Sequence, residues 1–249
     1  MKTLIIYSYY NKDTFSKKNL HFFLKNGYID NPNYYFLIVI NSKENIIEIT
    51  EKYNLKIYNR NNEGFDFGGW GYGLSKIKYY DYDNFIFLNS TCIGPFIPRY
   101  ISDKITWADL FTSKLDSDYK LCGPTINYLS TNKISDTPHI QSFAFSTDLI
   151  GLKLLIDNNI FNPKKNIERK ELILKHEIGL SKTITDNFYK LFAFQLSETK
   201  NNGINEKHHD DIHYVGKYYN DTINPIEVMF VKSNRIDNKT LSNYVYFLS

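Results

Sequence analysis

The sequence predicts an α/β fold in which a mainly parallel central sheet is flanked by helices. Short apolar segments alternate with amphipathic segments over roughly the first 90 residues, a pattern typical of βαβ units. Polar residues follow two of the apolar segments directly, at positions 8–11 and 89–91. Because open α/β sheets bind ligands at the carboxyl ends of their strands, we expect a Rossmann-like N-terminal half with a ligand cleft at that edge.

The first half of the chain alternates regularly between strands and helices. Strands are predicted at residues 4–7, 35–40, 55–58 and 85–88, where buried apolar runs occur. A helix is expected over residues 15–25, with Leu20, Phe23 and Leu24 on one face and Gly27 ending it. Two further helices are expected, one capped by Asn41 or Ser42 and carrying Ile46, Ile47 and Ile49, the other over residues 70–80.

The second half is less regular. Residues 141–146 alternate polar and apolar side chains, and Thr147 is expected to cap a helix that continues to Leu155. Residues 167–194 are predicted to be mostly helical with a break near Gly179, followed later by a strand over 226–232 and a terminal helix over 238–248. No linker rich in Pro or Gly divides the chain, so residues 1–249 are predicted to form one domain.

Composition excludes several classes of protein. The 30 basic and 27 acidic residues give a net charge of +3, too balanced for a nucleic-acid-binding surface. Two cysteines, Cys92 and Cys122, are expected to be buried free thiols rather than a disulfide framework or a zinc site. No run approaches the roughly 20 apolar residues of a transmembrane helix, and the N-terminus lacks a signal-peptide pattern. A cytoplasmic protein is therefore expected.

A glycine cluster lies between the third predicted strand and the helix after it. It fits neither the dinucleotide fingerprint nor a P-loop. Two interpretations remain: a tight turn with close helix packing, or a backbone that approaches a ligand. Arg60 could pair with a phosphate and Asp66 could accept hydrogen bonds from sugar hydroxyls. The glycines are Gly64, Gly68, Gly69, Gly71 and Gly73.

Several motifs together resemble one enzyme family. Residues 60–70 read Arg-x-Asn-x-Gly-Phe-Asp-Phe-Gly-Gly-Trp, and residues 88–96 read Leu-Asn-Ser-x-x-x-Gly-Pro-Phe. Further motifs begin at His139, Glu177 and Pro225. In order and spacing these motifs resemble the rhamnan-synthesis-type and related capsular-polysaccharide glycosyltransferases. The resemblance implies a GT-A-like fold, with residues 1–100 as the nucleotide-sugar-binding half and residues 101–249 as the acceptor-side half.

The resemblance also implies roles for the matching positions. Asn89-Ser90-Thr91 stands where GT-A enzymes carry Asp-x-Asp, the motif that holds a divalent metal against the diphosphate. No carboxylate is present there, so dependence on Mn²⁺ or Mg²⁺ stays open. Arg60, a Lys or a helix N-terminus could neutralise the diphosphate instead. The implied nucleotide-sugar-binding residues are Ser8, Tyr9, Arg60, Asn62, Gly64, Gly68, Gly69, Trp70, Asn89 and Ser90.

Glu177 is the candidate general base that would deprotonate the acceptor hydroxyl. The alternative is an exposed helix carboxylate paired with Lys175 or Lys182, and Asp66 is a rival for the catalytic role. His139 and Gln141 are expected to face the acceptor, although a structural histidine is equally consistent. The cluster His208-His209-Asp210-Asp211-Ile212-His213 could be a metal site, a flap or a solvated loop. Trp107 is assigned to the core, whereas Trp70 stays undecided between core and sugar stacking.

These expectations converge on a glycosyltransferase. It would move a sugar from a UDP- or dTDP-linked donor to a hydroxyl of a glycan or glycoprotein, with inversion preferred because one base and no nucleophile stand out. The alternative is a non-catalytic carbohydrate- or nucleotide-binding protein that keeps the fold. A nucleotidyltransferase of the pyrophosphorylase type is a third class, but the sequence lacks a basic triphosphate loop near its N-terminus.

Overall fold

The computed structural model describes residues 1–43, 47–127, 138–196 and 211–248. The strands in these ranges are β1 (Thr3–Tyr9), β2 (Tyr34–Ile40), β3 (Leu55–Asn59), β4 (Asn84–Asn89), β5 (Cys92–Ile93), β6 (Tyr119–Gly123), β7 (Ile126–Asn127), β8 (His139–Ile140), β9 (Ala144–Asp148), β10 (Lys190–Ala193) and β11 (Val231–Lys232). The α-helices are α1 (Thr14–Asn26), α2 (Phe65–Leu74), α3 (Arg99–Ser102), α4 (Trp107–Thr112), α5 (Leu149–Asp157), α6 (Arg169–Leu172), α7 (Gly179–Asp186), α8 (Pro225–Val228) and α9 (Asn238–Leu248). A π-helical segment, Ile173–Ile178, connects α6 to α7.

In the described ranges, seven strands form one central sheet in the order β10-β6-β9-β4-β1-β2-β3. Strands β1, β2, β3 and β4 are parallel, β9 is antiparallel to β4 and β6, and β10 is parallel to β6. The predicted α/β class with a mainly parallel sheet is confirmed. Ser8 of β1 is paired with Asn89 of β4, so the carboxyl ends of these two strands lie side by side.

Helices cover both faces of the sheet. Successive side chains of a strand point to opposite faces, and β1 follows this rule. Its Leu4 and Ile6 pack in the apolar cluster that includes residues of α2, α5 and α7, whereas Ile5 and Tyr7 pack in the cluster that includes residues of α1 and α4. Full burial of each such side chain contributes about 1.5–3 kcal/mol. The sheet is therefore held on both sides, which fixes the strand ends.

Three further features are the cysteines, Trp107 and the length of the apolar helices. Cys92 and Cys122 are buried free thiols, as predicted, and burial raises the pKa of Cys92 to about 12. Trp107 lies in the core, as predicted, where its Nε1 donates to the Gly27 carbonyl at 2.7 Å. Across the residues for which the structure gives positions, no helix is both long and apolar enough to cross a bilayer.

Several predicted boundaries differ from the structure. Helix α2 begins at Phe65, well before predicted residue 70, because Gly64 adopts φ +71° and turns the chain into the helix. The predicted strand over 226–232 divides into α8 and β11. Asn224 caps α8 by accepting from the Ile226 N–H at 3.0 Å, and Pro225 is favoured at the first helical position.

The helix expected after Asn41 is not present in residues 47–50, and positions 44–46 lie outside the described residues. The Asn41 side chain instead donates to Ser8 Oγ at 2.9 Å and to the Tyr9 carbonyl at 3.2 Å. Its polar groups thus connect the ends of neighbouring strands and are not available to cap a helix.

The helical prediction for residues 167–194 is only partly correct. Gly179 continues the helix from the π-helical segment into α7 without a break, and residues 190–193 form the edge strand β10. The cap of α5 is Asp148 and not Thr147, because the Asp148 carboxylate accepts from the Gly151 N–H at 2.8 Å.

Candidate active site

A cleft of about 740 Å³ opens at the carboxyl ends of β1 and β4. Its walls come from the start of α2, the turn after β4, α6 with the π-helical segment, and the residues around β11. The residues predicted from sequence that line it are Asn62, Asp66, Asn89, Ser90, His139, Gln141 and Glu177. Tyr10 and Phe65, each 42% exposed, also line the cleft and present aromatic surface to it.

The remaining predicted site residues do not line this cleft: Ser8, Tyr9, Arg60, Gly64, Gly68, Gly69 and Trp70. Trp70 is fully buried, its Nε1 donates to the Leu88 carbonyl at 2.9 Å, and its ring meets that of Phe67 edge-on at 4.9 Å. The structure therefore places Trp70 in the core, directly behind the strand end that carries Asn89.

Arg60 and the glycine cluster pack against protein atoms. The Arg60 guanidinium donates to Asn41 Oδ1 and to the Glu63 carbonyl, both at 2.6 Å, and lines a separate cavity of about 540 Å³. At Gly69, an added Cβ would lie 2.2 Å from Ser8 Oγ, a distance that no side chain tolerates. Close packing of α2 on β1 thus accounts for the glycine, in line with the packing interpretation.

Asp66, in the first turn of α2, is tied to the end of β4. Its Oδ2 accepts from Asn89 Nδ2 at 2.9 Å, and Asn89 Oδ1 accepts from the Thr91 N–H and Oγ1 at 3.0 and 2.6 Å. Burial raises the pKa of Asp66 to about 7, against the lowering effect of Asn89, and the Glu177 carboxylate adds to the rise. A carboxyl that exchanges its proton near neutral pH is suited to proton transfer.

Replacing Asp66 with Asn is expected to stabilise the protein at alkaline pH. The wild type must ionise a carboxyl whose folded pKa exceeds its unfolded value, so its stability falls as pH rises from about 4 to about 7. The neutral amide avoids this cost and keeps an oxygen for Asn89. Allowing for contact with solvent in the cleft, the gain at pH 8 should be about 1–3 kcal/mol. Urea unfolding between pH 4 and pH 8 measures it.

A matched control for the loss of one carboxylate is Asp103→Asn, at the exposed end of α3. The comparison separates the local effect at Asp66 from a change in net charge. If the stability curves of Asp66→Asn and wild type ran parallel over this pH range, the raised pKa of Asp66 would be wrong.

Glu177 lies in the π-helical segment and lines the cleft. Turns of π-helix frequently occur at functional sites. The lysines that were alternative partners for it are engaged elsewhere. Lys175 pairs with Glu171 at 2.7 Å and Lys182 pairs with Asp186 at 2.6 Å. Glu177 is half-buried and lines the same cleft as Asp66, near enough for its charge to raise the Asp66 pKa.

His139 and Gln141 are buried in the cleft wall. The Gln141 amide is engaged by protein groups, since Oε1 accepts from Thr125 Oγ1 at 2.7 Å and Nε2 donates to Asp211 Oδ2 at 2.8 Å. Gln141 therefore supports Asp211, a third acidic residue of the cleft.

Asp211 and His213 belong to the cluster that was singled out from the sequence, but the pairing of Asp211 with Lys232 and Arg235 was not predicted. The Asp211 carboxylate pairs with Lys232 Nζ at 3.2 Å, with the Arg235 guanidinium, and with His213 Nδ1 at 3.1 Å. Burial lowers the pKa of His213 well below its usual range, so its imidazole is neutral. Positions 208–210 of the predicted cluster lie outside the described residues. From the sequence, Lys232 was the last residue of the motif that begins at Pro225, whereas Arg235 belonged to no motif.

The turn after β4, where the resemblance would place an Asp-x-Asp motif, does not fit Mn²⁺ or Mg²⁺ by itself. Among the residues that the structure describes, no three His, Cys, Asp or Glu side chains are grouped as metal ligands. Both oxygens of Asp211 are taken up by the cluster, and Asn89 supplies no carboxylate. Hard divalent cations require anionic oxygen ligands, so no chemical step is assigned to a metal here.

Solved glycosyltransferases are among the structures that this chain resembles. S. aureus TarS 1–349 in complex with UDP-GlcNAc is 18% identical, with 71% of this chain and 53% of that chain covered and a TM-score of 0.44. The mannosyltransferase PcManGT from Pyrobaculum calidifontis, in complex with GDP-Man and Mn²⁺, is 8% identical. The comparison covers 77% of this chain and 54% of that chain, with a TM-score of 0.48. The chain spans about half the length of each of these two.

A glycosyltransferase involved in glycosylation of the major capsid of PBCV-1 is 13% identical, over 79% of this chain and 84% of that chain, at a TM-score of 0.43. No curated protein matches the chain. The model of one family, described as rhamnan synthesis protein F, matches residues 37–247. That range contains every motif on which the resemblance was based, and the resemblance is confirmed. Since the match extends over most of its length, the chain belongs to the rhamnan synthesis protein F family.

Proposed function

We propose that this protein is a glycosyltransferase that uses a UDP- or dTDP-linked sugar and a hydroxyl of a glycan or glycoprotein. The observation that carries the proposal is the cleft at the carboxyl ends of β1 and β4. Two carboxyls, Asp66 and Glu177, line it together with cationic and aromatic side chains. Membership of a rhamnan synthesis family supports a sugar, hexose or deoxyhexose, as the transferred group.

The proposed reaction is a single displacement with inversion. Glu177 accepts the proton of the acceptor hydroxyl while the acceptor oxygen bonds to the anomeric carbon, and the diphosphate leaves with the electron pair of the broken C–O bond. Asp66 is the second candidate for the proton transfer, because its pKa of about 7 suits that role. Both carboxyls line the same cleft.

In this proposal, the donor occupies the part of the cleft built by residues 1–100 and the acceptor approaches from residues 101–249. Asn62, Asn89 and Ser90 line the donor part. The exposed rings of Tyr10 and Phe65 offer stacking surfaces for the base or the sugar. His139 lies on the acceptor side of the same cleft.

Thermal shift against nucleoside diphosphates and nucleotide sugars, each with and without Mn²⁺, tests the proposal. A ligand that binds only the folded state stabilises it by about 2.7 kcal/mol at 100 times its dissociation constant. We expect such a shift with UDP or dTDP compounds, together with slow hydrolysis of the matching donor sugar.

Other outcomes identify the competing functions. A shift without any hydrolysis or transfer would favour a binding protein that keeps the fold. Turnover of a nucleoside triphosphate would indicate a nucleotidyltransferase. No shift with any compound, with or without Mn²⁺, would contradict the proposal.

A further inference from the structure

The cleft carries more positive than negative side chains among the residues that the structure describes. Four cations, Lys12, Arg169, Lys232 and Arg235, line it together with three carboxyls, Asp66, Glu177 and Asp211. With its pKa near 7, Asp66 carries only part of a negative charge at neutral pH. The cleft is therefore an environment that attracts anions.

Lys232 and Arg235 each have an ion pair and an aromatic contact. Their side chains are 13% and 26% exposed, and both pair with the same carboxylate of Asp211, which is 4% exposed. Lys232 lies over the Phe143 ring at 5.3 Å, and Arg235 over the Tyr214 ring at 4.9 Å. Their positive groups are thus fixed at the cleft wall before any ligand arrives.

Burial lowers the pKa of Lys232 and of Arg235, although Asp211 pairs with both and the Glu177 charge lies nearby. The positive forms are therefore partly desolvated. A bound anion would add negative charge beside them. Such preorganised, partly desolvated cations stabilise a developing charge more strongly than solvent does.

The pair also lies beside the turn that follows β4. Lys232 of β11 is paired with Cys92 of β5, and the Ser233 N–H donates to the Thr91 carbonyl at 3.1 Å. This contact joins the cationic residues to Asn89-Ser90-Thr91, the turn that lacks metal-binding carboxylates.

We propose that Lys232 and Arg235 form a diphosphate clamp that binds the leaving group of the donor without a metal ion. This inference rests on the proposed transferase function. As the bond from the anomeric carbon to the diphosphate oxygen breaks, its electron pair moves to that oxygen. The two cations stabilise the negative charge that develops there. The planar guanidinium of Arg235 suits bidentate contact with phosphate oxygens, and Lys232 adds a point charge.

Calorimetric titration with inorganic pyrophosphate and with UDP, in EDTA, tests the clamp. We expect Lys232→Met and Arg235→Met each to weaken pyrophosphate affinity by about 10- to 100-fold. The charge-preserving Lys232→Arg should keep most of it. Lys153→Met on the exposed face of α5 and Arg99→Met on α3 are matched controls outside the cleft.

The results that would contradict the clamp differ from those that would contradict the transferase function. The clamp is wrong if wild type binds no pyrophosphate in EDTA, or if the two cleft variants bind as tightly as the controls. Donor hydrolysis by wild type is measured in parallel and decides the transferase function independently. Far-UV circular dichroism of each variant distinguishes lost binding from lost folding.

Discussion

Replacing Glu177 with Gln is expected to lower kcat by about 10²- to 10⁴-fold, the usual contribution of a general base. The amide keeps the size of the side chain but cannot accept the acceptor proton. The KM for the donor should stay close to wild type or fall, because the negative charge of Glu177 lies near the cationic Lys232 and Arg235. Steady-state kinetics with a donor identified by thermal shift provide the measurement.

The matched control is Glu171→Gln in α6, where the carboxylate pairs with Lys175 on the exposed side of the helix. This variant removes the same charge six residues earlier in the chain and should keep wild-type kcat. Removal of a general base should lower kcat by more than about tenfold. If Glu177→Gln retained more than about a tenth of the wild-type kcat, Asp66 would therefore become the candidate base. Comparison with Asp66→Asn would then test that assignment.

Replacing Asp211 with Ala is expected to destabilise the fold by about 3–5 kcal/mol, because it leaves buried charges without their partner. Lys232 and Arg235 would both lose their counter-ion, and Gln141 Nε2 and His213 would lose an acceptor. Urea unfolding at pH 7 measures the change in the free energy of unfolding. Pyrophosphate titration of the folded variant then reports whether the two cations have kept their positions.

An exposed ion pair provides the contrast. Asp186 pairs with Lys182 at 2.6 Å, but both side chains are more than half exposed. Asp186→Ala should therefore change stability by no more than about 1 kcal/mol. Equal effects at Asp211 and Asp186 would show that the Asp211 cluster is not the buried, interdependent unit described above.

Much of the sheet could be predicted from the sequence, since buried parallel strands are continuous apolar runs. Strands β1, β2 and β4 are of this kind, and each was predicted within two residues of its limits. The edge strand β10 was missed because its Leu191 and Phe192 are only partly buried and its pattern does not distinguish strand from helix. The limits of α2 depended on a left-handed Gly64, which local hydrophobic spacing cannot reveal.

The edge of the sheet at which the cleft opens could be predicted from the sequence, but the full set of residues that line it could not. Polar residues at the strand ends indicated this edge, and Asp66 and Glu177 had been named as candidate site residues. The Arg60 guanidinium, by contrast, is occupied by Asn41 and Glu63. Which cations face the cleft depends on chain segments that are distant in sequence, such as α6 and β11, and tertiary contacts of this type leave no periodic signal.

The amide at position 89 has a consequence for any attempt to rebuild an acidic metal motif in this chain. Asn89 donates to Asp66 at 2.9 Å, a geometry in which one partner must carry hydrogen. An aspartate there would set two carboxyls against each other, and like charges this close must share a single proton. Without a bound cation, the engineered pair would titrate as a dyad with two coupled pKa values. The amide at position 89 therefore lets Asp66 titrate without a second carboxyl in hydrogen-bond contact.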